Sequence, residues 1–466
     1  MKWMMAVWLV MALPMGVSGK PAAPVDWQHY HSKDGWWVDH HFLLVESQQW
    51  LTPSQVDQPA WQHEVSISVP WSAACPGRER DDHTALVIIS GGDRPGAVLR
   101  ESPGSLSTAL ALIFCRPVVE IRQVPNQPLV FSADATATPR REDSLLAWTM
   151  DRAARVGDMA PVQHAMVTAV RRSLDAVQAF SAQQPGLEPV VDFALLGSSK
   201  RGWTAWLVAA EDPRIRALVP VSIDMLNLAK QFDHQHRAYG EYTPALRAFS
   251  EQGIDCLIRT GPGKVMLATV DPYALRDRLS LPKLVINASG DAYFVSDSSQ
   301  FYFADMGPNR WLRYTPNSGH RQGDSLDRVV RLSQVANWLD VILEGRTPPN
   351  VSAQLENPQW VITPSEPPRS MLLWQAVNPS ARDFRQQSIG NGWHATELDA
   401  DDDGRYRVDL PDPDKGYQAW FVEARFGGWL AINQQVVTTD IQVRPQALPY
   451  PPRECDSHRA DWGTSD

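Results

Sequence analysis

The sequence predicts an α/β protein: a mostly parallel sheet with helices on both faces, followed by a small β-sandwich-like domain. Two patterns carry this expectation. Across residues 61–346 short apolar runs rich in β-branched residues alternate with helical segments, and strands separated by helices end up buried on both faces of a parallel sheet. After Thr347-Pro348-Pro349 the chain turns to closely spaced strand-like runs with turn residues between them.

The elements follow in order. Met1-Lys2, an apolar run from Trp3 to Val17, and small residues before Lys20 read as a signal peptide over residues 1–19, cleaved after Gly19. Export to the periplasm or the medium is therefore expected. Residues 20–60, rich in Trp and His and without clear periodicity, read as an N-terminal extension packed on the main domain. Alternation in Glu64-Val65-Ser66-Ile67-Ser68-Val69 marks a half-buried strand. The runs at 85–89, 117–121, 190–196, 217–221 and 283–286 are the parallel strands, and Val329, Leu332, Val335, Leu339 and Leu343 give the closing helix its apolar face. Residues 225–280, long, polar and aromatic, break this rhythm and read as a lid or insertion over the strand ends. Strand-like runs at 360–362, 371–374, 406–410, 419–422 and 435–437 fill a β-rich domain over 350–450, with an irregular tail over 451–466.

Composition narrows the function. Lys plus Arg number 43 against 53 Asp plus Glu, a formal charge of −10, which argues against a nucleic-acid partner. No apolar stretch past the signal is long enough to span a bilayer. Cys75, Cys115, Cys256 and Cys455 allow up to two disulfides, in one of three connectivities, and fit no metal motif. No cofactor or metal is implied. His29, His31, His40, His41, His234 and His236 read as surface residues. Asp399-Ala400-Asp401-Asp402-Asp403-Gly404 resembles half a calcium loop, yet Leu410 stands where the closing Glu belongs, so a solvated turn is expected.

The chemistry concentrates in Leu196-Gly197-Ser198-Ser199-Lys200-Arg201-Gly202-Trp203, which joins an apolar strand to a helical run. A serine on such a turn is a nucleophile elbow of the α/β-hydrolase fold, and small residues flank it because the turn is strained. Gly197 stands at −2 from Ser199; the second glycine, Gly202, stands at +3 instead of +2. A nucleophilic serine needs a base, and the base an orienting acid. Asp291 follows one strand and His320 the next, giving the order Ser199, Asp291, His320, each beyond a strand's C-terminal end. Asp224 is the second choice of acid, and Asp297 is close enough in sequence to approach the site. The N–H of Lys200 and the Gly91-Gly92 loop are the expected oxyanion donors. Arg201, Trp203, Asp224 and Tyr293 are candidate substrate contacts. Of the 19 tryptophans, Trp203, Trp206 and Trp338 fit packing roles, whereas Trp27, Trp36, Trp37, Trp50 and Trp61 are candidates to wall the cleft.

Several words of the sequence resemble the PhoPQ-activated pathogenicity-related family: Gly197–Thr204, Gln123–Leu129, Arg141-Glu142-Asp143, Pro316–His320, Leu373–Ala376 and Ala381–Arg385. The resemblance covers nearly the whole mature chain and implies a secreted α/β-hydrolase domain with a β-rich C-terminal part. A secreted autocrine growth repressor of a social amoeba looks like a member too. The elbow is also similar to that of glucuronoyl esterases, except that Lys200 replaces their Arg. The expected function is an exported serine hydrolase acting on a small-molecule, glycan-ester or peptide substrate. The alternatives are a secreted binding or signalling protein on a hydrolase scaffold, and a serine peptidase.

Overall fold

In the computed structural model, residues 25–76, 83–356, 359–409 and 411–455 are described. The signal-peptide segment and residues 456–466 of the tail lie outside them. The first strands are β1 (Asp26–Lys33), β2 (Val38–Gln49) and β3 (Ala60–Pro70), joined antiparallel. They are followed by β4 (Thr84–Ile89), β5 (Val118–Ile121), β6 (Asp192–Ser198), β7 (Ile215–Val221), β8 (Lys283–Ala288) and β9 (Arg310–Thr315). Together they make a nine-stranded sheet in the order β1-β2-β3-β5-β4-β6-β7-β8-β9, parallel from β5 to β9. Helices cover both faces, as the alternation of strands and helices requires. This is the α/β-hydrolase fold.

The segment expected to be an N-terminal extension packed on the main domain contributes β1 and β2 to the sheet itself. Its hydropathy pattern is blurred because polar side chains point inward: His40 is buried and bonds Ser68 at 3.0 Å, and Ser47 bonds the buried His63 at 3.0 Å. Satisfied in pairs, these groups are cheap to bury.

Successive side chains of β4 enter opposite cores, as a strand's two-residue period dictates. Val87 and Ile89 pack with α2 (Glu142–Arg155), α3 (Val162–Gln183) and α4 (Lys200–Glu211). Leu86 and Ile88 pack against α1 (Ser105–Phe114) and α9 (Ser325–Leu343). Between β7 and β8 the chain forms α5 (Leu228–Tyr239), α6 (Arg247–Glu251), α7 (Ile254–Leu257) and α8 (Gly261–Val270).

The C-terminal region forms two antiparallel sheets. One pairs β10 (Val351–Glu356), β11 (Gln359–Pro364) and β14 (Tyr406–Val408); the other runs β13-β12-β15-β16, with β12 (Ser370–Asn378), β13 (His394–Glu397), β15 (Tyr417–Gly427) and β16 (Gln434–Thr438). Its core is continuous with that of the large sheet: Ile362, Met371 and Trp420 share a cluster with Leu284, Trp311 and Trp338, and Phe421 and Trp393 join the other face. Residues 445–455 are irregular in backbone but fastened. Cys256 bonds Cys455, Cys75 bonds Cys115, and Arg453 lies 3.1 Å from the buried Asp255. Among the described residues no helix is long and apolar enough to cross a membrane.

Candidate active site

Strand β6 ends at Ser198 and α4 begins at Lys200, so Ser199 must turn the chain within one residue. It does so at φ 56°, ψ −130°, a conformation that costs a non-glycine residue of the order of 1–3 kcal/mol. The flanking glycines allow the turn to close. A Cβ on Gly197 would sit 2.3 Å from the Arg201 carbonyl oxygen, and one on Gly202 would sit 2.8 Å from the Gly197 oxygen and 2.9 Å from Ile223 Cγ2. The displaced second glycine therefore serves the same close approach. Gly202→Ala is expected to destabilise the fold by about 1–3 kcal/mol through overpacking. Denaturant unfolding together with a loss of kcat, as Ser199 shifts, checks it.

The loops after β8 and β9 bring the remaining groups to Ser199. His320 Nε2 is 3.0 Å from Ser199 Oγ, and His320 Nδ1 lies 2.9 and 3.0 Å from the two oxygens of Asp291. With its Nδ1 proton held toward a carboxylate, the ring leaves Nε2 free to accept from the serine hydroxyl. Asp291 is buried and also accepts the Tyr293 N–H at 2.7 Å. The Tyr293 ring packs on His320 with centroids 4.3 Å apart. Ser222 donates to the His320 carbonyl at 2.9 Å, fixing the loop from below.

The other acids are committed elsewhere. Asp224, the alternative choice, accepts the Tyr302 and Tyr314 hydroxyls at 2.7 and 2.6 Å. Its burial, only partly offset by those donors, pushes its carboxyl up to about 7. Asp297 pairs with His234 at 2.7 Å and Arg382 at 2.6 Å, all three buried. His234 and His40 are thus interior residues, contrary to the surface expectation; each has a polar partner that the local sequence does not reveal.

Arg201 is not available to substrate. Its guanidinium donates two bonds of 2.7 Å to Glu142 and one of 2.7 Å to the Val124 carbonyl. Lys200 Nζ lies 2.9 Å from Glu142 and 3.1 Å from Asp143. Burial alone would raise the Glu142 carboxyl, but Arg201 and Lys200 outweigh it and bring it down to about 2. Gln127 completes the network, donating to Glu142 at 2.7 Å and accepting the Glu142 N–H at 2.9 Å. Two segments distant in sequence therefore lock the elbow, and Glu142 at their centre is a residue that sequence reasoning missed. The acidic pair beside Arg141 was its only local signal.

Gly91 contributes space to the same network: a Cβ there would lie 2.2 Å from an Arg201 nitrogen. Strand pairing of Ile89 with Gly197 sets the Gly91-Gly92 loop alongside the elbow. The N–H of Lys200 opens α4, where first-turn N–H groups have no intrahelical partner.

Trp203 and Tyr293 line a pocket next to Ser199, and the Trp203 indole donates to the Val270 carbonyl at 2.5 Å. The N-terminal tryptophans do not line it. Trp50 and Trp61 are core residues, Trp27 packs on Phe180, and Trp36 and Trp37 are exposed at the β1–β2 turn. Side chains of a β-meander point into the core or into solvent away from the strand ends, so they do not reach the cleft.

The C-terminal region holds the loops that carry Asp291 and His320. Gln386 N–H donates to the Gly290 carbonyl at 3.0 Å, and Asn317 exchanges two hydrogen bonds with the Trp393 backbone, at 2.8 and 3.0 Å. Asp401 accepts the N–H groups of Asp403 and Arg405, which makes the 399–404 segment a self-bonded turn.

Known proteins place this architecture. Over 443 residues the chain is 30% identical to autocrine proliferation repressor protein A of Dictyostelium discoideum, covering 88% of this chain and 86% of that protein. Among solved structures it is similar to acetyl xylan esterase 1 from Thermoanaerobacterium sp. JW/SL YS485 (14% identity, 69% of this chain and 88% of that one, TM-score 0.42). An acetyl xylan esterase from Paenibacillus sp. R4 is comparable (12% identity, 70% and 90%, TM-score 0.44). Likenesses that weak say nothing about substrate. The profile of one family matches residues 17–385, most of the chain, and with the full-length relative it shows that this protein belongs to the PhoPQ-activated pathogenicity-related protein family.

Proposed function

We propose that the protein is an exported serine hydrolase that cleaves an ester or amide through an acyl-enzyme. The 3.0 Å approach of His320 Nε2 to Ser199 Oγ, with Asp291 behind the ring, carries this reading. Ser199 Oγ attacks the carbonyl carbon while His320 takes its proton, and the carbonyl oxygen becomes an oxyanion. The N–H of Lys200 and an N–H of the Gly91-Gly92 loop receive that charge. On collapse the carbon–leaving-group bond breaks and His320 returns the proton to the alcohol or amine. A water deprotonated by His320 then attacks the acyl carbon, and the acid leaves as Ser199 recovers its proton. Two disulfides suit an oxidising compartment, which supports export. The family's name refers to pathogenicity under PhoPQ control, and membership supports, as part of this proposal, a role in virulence or envelope stress.

A fluorophosphonate probe should label the full-length protein, and Ser199→Ala should abolish the labelling. Labelling that persists in the variant, or none in the wild type, would overturn the proposal. A second reading, a secreted signalling protein on a hydrolase scaffold, is favoured by the relative named as a proliferation repressor. It is the correct one if Ser199→Ala retains full biological effect.

A further inference from the structure

The pocket beside Ser199 has a composition unlike the rest of the site. Apart from the Lys200–Asp143 ion pair at its mouth and a few polar side chains, its wall is hydrocarbon and aromatic ring: Trp203 from α4, Met225, Phe232, Leu246 and Phe249 from the lid segment, and Phe294 from the loop after Asp291. Water gains little in such a space, whereas an apolar group placed there is favourably removed from water. The pocket takes an apolar part of the substrate.

Which part follows from the position of the base. A leaving group must lie within reach of His320 Nε2 to receive its proton. Ser199, Lys200 and Trp203 line the pocket, but neither His320 nor Asp291 does. The leaving group therefore points away from it, and the other side of the carbonyl points in. Size sets the limit: the pocket encloses about 60 Å³, and an apolar cavity of about 150 Å³ takes the six carbons of a benzene ring, so about two to three carbons fit.

We infer that this is an acyl pocket, selecting esters of short hydrocarbon acids with about two to three carbons beyond the carbonyl, with Phe232, Phe249 and Leu246 as the residues that limit chain length. The inference rests on the hydrolase reading above. Its test is a series of p-nitrophenyl esters from acetate to palmitate, assayed on the full-length protein. The value of kcat/KM should peak at propionate or butyrate and fall about tenfold or more by laurate. Phe249→Ala should move the peak to longer chains. Leu246→Trp, at a half-buried position that tolerates substitution better, should move it to acetate. A profile flat with acyl length, unchanged in both variants, overturns the acyl pocket while leaving the hydrolase intact; so does a length dependence that follows the alcohol of alkyl acetates instead. Absence of turnover together with absence of Ser199 labelling overturns both.

Discussion

Asp291→Asn is expected to lower kcat about 10⁴-fold while leaving the fold intact, because an amide no longer holds the His320 ring in the tautomer that accepts from Ser199. Both Asp291 oxygens face His320 Nδ1, at 2.9 and 3.0 Å, and the carboxylate compensates the imidazolium that forms as the serine proton moves. The comparison that decides the acid is Asp224→Asn. Asp224 spends its two oxygens on Tyr302 and Tyr314, so its loss should alter stability and leave kcat of the folded enzyme within a few fold. Steady-state kinetics on both variants, with circular dichroism to confirm folding, checks the pair. A large kcat loss in Asp224→Asn with a small one in Asp291→Asn would reverse the assignment.

Arg382→Met is expected to destabilise the protein by about 3 kcal/mol, measured by urea unfolding at pH 7. The guanidinium and the Asp297 carboxylate are both almost fully buried, and removing one partner leaves the other's charge without water. The expected loss is at the low end for such a break because His234 still contacts Asp297 at 2.7 Å. The pH dependence has a definite sign. Burial would raise the Asp297 carboxyl, but His234 and Arg382 overcome it and hold it well below the usual carboxylate range. A lowered folded-state value adds stability that is fully present above an ordinary Asp value of about 3.9 and is lost as the pH falls below it. The acid limb of the stability curve should therefore be shallower in Arg382→Met than in the wild type. Equal limbs would show that Arg382 contributes nothing to Asp297.

Ser199, Asp291 and His320 were legible in the sequence because each stands just beyond the end of a parallel strand, and the chain order of the three is itself a signal. The structure brings those three side chains together. Gly202 was legible as a departure from the usual pattern, but its contact with the Gly197 oxygen appears only when strand and helix meet. Arg201 illustrates what local reading misses. A cation two residues after a candidate nucleophile looks like a substrate ligand, and its true partner, Glu142, lies 59 positions away. The lid's site-facing residues were hidden for a similar reason: Phe232 and Phe249 sit on separate short helices whose register toward the pocket is set by tertiary packing. Strands β1 and β2 escaped because buried His40 and Ser47 interrupt the apolar alternation that marks a strand.

The shared core beneath the Pro348-Pro349 punctuation has a consequence for how the molecule opens. Trp420 and Met371 belong to the same cluster as Trp338 and Leu284, and Gln386 and Trp393 bind the two loops that carry Asp291 and His320. Peeling the C-terminal sheets away would expose a face of the large sheet and release both loops at once, so partial unfolding there costs close to what global unfolding costs. The two architectural styles thus share one core and are expected to open together. The placement of Asp291 and His320 beside Ser199 then depends on residues far outside the parallel sheet.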